Sequence, residues 1–114
     1  MSLSNDQIET YWRKGYVVVK GLIAQADLDS YSSRFEAIIK GDVKASPMMK
    51  IMKDVMVVKR AVEKDNPVEE VNKLFSLEND PVFFSYISHA KLCSSIRSLL
   101  GETIYSLASN VFNK

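Results

Sequence analysis

The sequence predicts an α+β fold, and three observations lead there. Apolar residues recur at spacings of three and four in several separate stretches, as in helices that bury one face. Other stretches are runs of β-branched and aromatic residues, which suit strands. No apolar run approaches the roughly 18 residues that a bilayer span requires. At 114 residues the chain is about one domain, near the small end for a core of its own. Its 46% hydrophobic and 25% charged residues are ordinary for a globular protein and argue against disorder. A net charge of +1 gives no electrostatic case for binding nucleic acid. One cysteine excludes an internal disulfide framework. The opening MSLSNDQ has no apolar stretch of signal-peptide type, so the expected compartment is the cytoplasm, with no membrane partner.

The elements follow in order. Ser4 and Gln7 form a capping-box pattern, and Ile8, Tyr11 and Trp12 continue at helical spacing, which predicts a helix from about residue 5 to 14 stopped by Gly15. Tyr16-Val17-Val18-Val19 reads as a buried strand ended by Gly21. Leu28, Tyr31, Phe35, Ile38 and Ile39 share one stripe, predicting a second helix from about 26 to 40 closed by Gly41. Residues 48–59 mix β-branched residues with loose alternation and predict one or two strands. Four of the five methionines lie in this stretch, where gap-filling core is the favoured role over an adaptable binding surface.

Asn66-Pro67-Val68-Glu69 resembles a helix start, with Val68, Val71, Leu74 and Phe75 as its apolar stripe. A turn at Asn79-Asp80-Pro81 precedes a short helical or aromatic segment over residues 82–86. Ser88 is the expected cap of another helix, with Leu92, Ile96, Leu99 and Leu100 inward and Gly101 as its stop. Residues 103–112 read as a long strand close to the end of the sequence. Such a strand needs partners, and little strand-forming sequence precedes it.

Metal-ligating residues are scarce. His89 and Cys93, four apart on one helical face, are the whole stock of histidine and cysteine, and two ligands are too few for a defined site. A packing histidine and a small apolar thiol are the simpler roles. No Gly-rich phosphate loop or nucleophile elbow is present, and a serine-histidine-acid triad would need His89, which has no acid signal beside it.

The order of elements carries a family resemblance. A helix, then Gly15-Tyr16-Val17-Val18-Val19-Lys20-Gly21-Leu22-Ile23, then an amphipathic helix resembles the start of the phytanoyl-CoA dioxygenase family. Met52-Lys53-Asp54-Val55 is similar to a family strand. Asp80-Pro81-Val82-Phe83 followed by His89 through Gly101 is similar to a family helix, and Asn110-Val111-Phe112-Asn113-Lys114 resembles the run that leads to the iron ligands. The resemblance implies a double-stranded β-helix, a jelly-roll-like barrel, of which these residues are the N-terminal helices and first strands of a single domain over 1–114. It also implies Fe(II) and 2-oxoglutarate as cofactors of the complete protein, hydroxylation of a small organic or acyl-CoA-type substrate, and iron ligands beyond Lys114 in a His-x-Asp pair and a distal histidine. Two positions carry over toward 2-oxoglutarate. Lys73 matches a lysine that holds the cosubstrate, although periodicity places it opposite the Val71/Leu74/Phe75 stripe, on a solvated face. Asn110 matches a cosubstrate-contacting position that usually has another residue. Tyr105 and Ser109 are further candidates to line a barrel mouth, with their face left open by the alternation. The rival expectation is a small interaction or scaffold domain derived from that family, without activity.

Overall fold

The computed structural model describes residues 2–53 and 71–113. Helix α1, Asn5–Lys14, starts on the predicted box: the Ser4 hydroxyl accepts the Gln7 N–H at 3.2 Å and the Gln7 side chain accepts the Ser4 N–H at 2.8 Å. Gly15 ends it at φ 85°, a left-handed conformation that a Cβ would strain. Leu3, buried just ahead of the helix, donates its N–H to the Ser98 hydroxyl at 3.2 Å and so docks this end of the chain on a distant helix.

Residues 16–19 form no strand, against expectation. Val18 is 68% exposed. High β propensity becomes a strand only beside a partner, and the one sheet among the described residues does not include this segment. Helix α2, Gln25–Lys40, matches the predicted span within one residue. Its stripe packs Ile38 in the core with Tyr31, Phe35 and Ile39 against it, while Leu28 stays partly outside.

The sheet is antiparallel in the order β1 (Lys50–Lys53), β2 (Val71–Phe75), β3 (Asn110–Phe112). Strand β2 corrects the helix expected to run through Val71, Leu74 and Phe75; the start proposed for that helix at residues 66–69 lies outside the described residues. The cause of the misreading is a β-bulge. Met52 pairs with Lys73 and Lys53 pairs with Val71, so one step on β1 spans two on β2 and Asn72 is the extra residue. An extra residue returns positions three apart to the same face. Val71 and Leu74 therefore share the buried side of a strand at a spacing that otherwise signals a helix.

A 3-10 turn, Leu77–Asn79, leads into α3, Pro81–Ile87. The turn expected at Asp80 is also a cap: its carboxylate accepts the N–H groups of Val82 and Phe83 at 3.1 and 3.2 Å, and Pro81 takes the first helical position, which has no N–H to satisfy. Arg34 of α2 forks onto the same carboxylate, with Nη2 to Oδ1 at 2.7 Å and Nε at 3.1 Å from both oxygens. Asp80 is 2% exposed. Burial, the largest single influence, pushes its pKa up, but the guanidinium and the two backbone N–H groups together outweigh it and hold the carboxyl below its ordinary 3.8.

Helix α4, Ala90–Leu100, is capped by His89 rather than by Ser88, whose hydroxyl instead donates to the Phe84 carbonyl at 2.8 Å. Leu92, Ile96 and Leu99 are partly buried, but Leu100 is largely exposed. Of the long strand expected over 103–112, only Asn110–Phe112 forms, and Leu107 is 96% exposed. Its partner is β2, the segment whose strand character the bulge conceals. The core gathers Ile38, Met49, Val71, Leu74, Leu77 and Phe83 between the helices and one face of the sheet. Met49 fulfils the core role expected of the methionine cluster, whereas Met48 and Met52 are exposed and Met56 lies outside the described residues. Among the described residues no helix is long and apolar enough to cross a membrane.

Candidate functional site

The two faces of the sheet are chemically unlike, and register determines which residue goes where. Ile51, Leu74 and Val111 align across the strands; Leu74 and Val111 pack with the core on the helix side, while Ile51 on the edge strand stays exposed. The alternate residues form two rungs on the other side: Lys50–Phe75–Asn110 and Met52–Lys73–Phe112. Lys73 and Asn110, both picked out in the sequence, thus lie on one face, diagonal to each other across β2 and β3.

Lys73 is held there by aromatic rings. Its ammonium sits 4.4 Å from the ring centroid of Phe75 and 4.4 Å from that of Phe112, positions at which the negative ring faces attract a cation. No carboxylate among the described residues pairs with it. Lys73 as a whole is half-buried, and an ammonium carries three N–H donors. Phe75 was expected to face inward with Leu74; the strand turns it onto the open face, where with Phe112 it makes the platform that sequence reasoning missed. The available signal was the Lys73-x-Phe75 alternation.

The two remaining candidates lie elsewhere. The Ser109 hydroxyl donates to the Glu78 carboxylate at 2.5 Å, a bond that is the main reason the Glu78 pKa lies below its ordinary 4.5, and it ties the entry of β3 to the 3-10 turn. Tyr105, 84% exposed, belongs to the irregular stretch before β3, beside an apolar groove of about 860 Å³ along α4. A second recess of about 310 Å³ opens between α2 and the end of β3, lined by Tyr31, Phe35, Phe83 and Val111.

An iron centre does not fit the described side chains. No three His, Cys, Asp or Glu residues among them converge. His89 has both ring nitrogens engaged: Nδ1 accepts the Lys91 N–H at 3.2 Å, which leaves Nε2–H to donate to Asp27 at 3.2 Å. Cys93, four residues on, sits 3.4 Å from the Ile87 carbonyl.

An open three-stranded antiparallel sheet, with helices on one face and Lys73 between two aromatic rings on the other, describes part of an α+β domain. The profile of the family described as "Phytanoyl-CoA dioxygenase (PhyH)" matches residues 11–114, and the chain belongs to that family. A "Probable phytanoyl-CoA dioxygenase" of Caenorhabditis elegans is 28% identical over 100 residues, covering 88% of this chain and 31% of the relative. The "Phytanoyl-CoA dioxygenase, peroxisomal" of Rattus norvegicus is 27% identical over 112 residues, and its Homo sapiens counterpart is 24% identical over 112; each comparison covers 98% of this chain and 32% of the relative. The chain thus spans about a third of the length of these curated relatives. No solved structure matches it.

Proposed function

We propose that this chain supplies the 2-oxoglutarate-binding wall of a non-haem Fe(II) and 2-oxoglutarate dependent dioxygenase that hydroxylates a small organic or acyl-CoA-type substrate. Residues 1–114 act as the N-terminal part of one domain, and the iron ligands belong to residues outside those described. The observation that carries the reading is the placement of Lys73: an ammonium oriented by two rings, without an acidic partner among the described residues, on the same sheet face as Asn110. Its chemistry suits one carboxylate of a dicarboxylate, because a compact cation desolvated on one side by aromatic surface gains more from a counter-ion than one fully in water. The Asn110 amide can donate to the same ligand, and the rings keep water from one side of the pair. Family membership supports the identity of the ligand.

The test is turnover by the protein expressed from its complete coding sequence, with Fe(II) and 2-oxoglutarate, read as succinate formed. Lys73→Met should raise the KM for 2-oxoglutarate about tenfold, the worth of roughly one desolvated charge contact, and Lys73→Arg should recover part of the loss. An unchanged KM in Lys73→Met overturns the assignment of Lys73. A coding sequence without a His-x-Asp in the few tens of codons after Lys114 overturns the oxygenase reading itself.

A further inference from the structure

We infer that His89 is a pH-sensitive catch: its neutral ring fastens α2 to α4 and caps α4, and a proton on the ring releases the cap beside the apolar groove. The catch is independent of the sheet and its proposed ligand. Its two ring nitrogens have opposite duties. Nδ1 accepts the Lys91 N–H at 3.2 Å, which needs a lone pair there, and Nε2 lies 3.2 Å from an Asp27 carboxylate oxygen, which needs a proton there. Only the neutral Nε2–H tautomer meets both needs. Asp27, in the first turn of α2, is therefore a positioning residue: its carboxylate selects the tautomer that leaves Nδ1 free to cap α4.

A second proton goes to Nδ1 and turns the acceptor into a donor. Two donors then face each other at the Lys91 N–H, and a cation stands at the positive end of the α4 dipole. No neighbouring side chain takes over the cap: the first turn of α4 has no acidic residue, and the Ser88 hydroxyl is engaged by the Phe84 carbonyl. The charged surroundings do not reverse the outcome. Asp27 attracts the imidazolium, but its side chain is 48% exposed and water screens it, so it retains the tether without restoring the cap. Asp29, beside it, is bonded to the Gln25 amide at 2.8 Å. Helix α3, just ahead of the ring, carries no charged residue, and its one titratable side chain, Tyr86, packs its ring on Tyr31. On α4 itself Lys91 adds a second cation, while Arg97 turns to the Glu102 carbonyl. Release of the cap has a place to act. The freed turn contains Leu92 and Cys93, which line the groove of about 860 Å³, and the Cys93 N–H makes its helical bond to the His89 carbonyl at 2.9 Å. Imidazole is the side chain that ordinarily changes charge between pH 5 and 8, and the chain has one histidine.

The test is amide hydrogen exchange by NMR on the full chain at about pH 7.5 and about pH 5.5, read as protection factors so that the intrinsic effect of pH on exchange is removed. The Lys91 and Cys93 amides should lose about fivefold in protection at the lower pH, the worth of one helix cap, while those of β2 keep theirs and serve as the folding check. The ring nitrogen shifts of His89 should show the Nε2–H tautomer at the higher pH. His89→Asn, whose side-chain oxygen can cap in either condition, should hold both amides within about twofold across the range. Asp27→Ala should lower Lys91 protection already at the higher pH and give a mixed tautomer signal, and Asp27→Asn, which keeps an acceptor, should restore both. Equal protection of Lys91 in the parent chain at the two pH values overturns the catch, and so does an acid loss that His89→Asn shares. A tautomer and a Lys91 protection that are unchanged in Asp27→Ala overturn the part given to Asp27.

Discussion

The two faces of the three-stranded sheet are made from the same strands and answer to different demands. On the covered face Val71, Leu74 and Val111 meet the helices, and Leu74 is 0% exposed. On the open face Lys50, Met52, Lys73 and Phe112 remain accessible, and the contacts among them are cation to ring rather than chain to chain. The difference teaches that, with Lys73 in its proposed role, stability and chemistry are separable at single-residue resolution, because alternate positions of one strand would serve each. Substitutions can break or sharpen that separation.

The largest expected effect belongs to the covered face. Leu74→Ala removes a fully enclosed side chain where strands and helices converge, and should cost about 3–5 kcal/mol of unfolding free energy in urea denaturation. For a chain of this size that is a large share of the total. A loss below about 1 kcal/mol would mean that the covered face is not the organising core.

Next comes the clamp that fixes the helices over that face. Arg34→Met leaves the buried Asp80 carboxylate without its guanidinium, although two backbone N–H groups remain, and should cost about 2–3 kcal/mol at neutral pH. The pH dependence has a definite sign. The folded carboxyl titrates below its ordinary 3.8, so its stabilisation is complete above the unfolded value and is lost as pH falls through the lower folded value. Denaturation of the parent chain and of Arg34→Met should therefore differ most near pH 6 and converge in acid. Curves that stay equally far apart at both pH values would assign the effect of Arg34 to packing.

A smaller effect is expected at the entrance of the fold. Ser4→Ala deletes one half of the reciprocal cap on α1 and should cost about 1 kcal/mol, visible as a lower melting temperature. This helix was also the most legible part of the sequence. Its start and stop are encoded by residues within one turn of each end, and Ser4, Gln7 and Gly15 do there what their chemistry predicts. Helix α2 was legible for the same reason, through its stripe and Gly41. The strands were harder because pairing is not local. Tyr16 through Val19 have the composition of a strand but no partner among the described residues, and β2 has a partner but a bulge that disguises its period. The candidate site inherited that difficulty: Lys73 was set opposite Val71, Leu74 and Phe75 on a helix, whereas the strand keeps it opposite Val71 and Leu74 but brings Phe75 onto its own face, so the rings that hold it could not be anticipated. His89 was placed inside its helix and proves to be the cap, because a ring nitrogen can accept a backbone N–H as a hydroxyl does.

The smallest effect on stability should come from the residue with the largest proposed effect on binding. Lys73→Met keeps the length and apolar stem of the side chain, and loses two cation–ring contacts worth about 0.5–1 kcal/mol each at a partly exposed site. Packing of methionine sulfur against the same two rings offsets part of that loss. The net change in unfolding free energy should stay within about 0.5 kcal/mol, against several for Leu74→Ala on the adjacent position of the same strand. Paired urea titrations of the two variants make the comparison directly. If Lys73→Met unfolds the chain as readily as Leu74→Ala, the ammonium is part of the scaffold and any effect on 2-oxoglutarate follows from folding. If it leaves stability intact while the KM for 2-oxoglutarate rises, neighbouring residues on one strand have been divided between holding the sheet together and facing its ligand.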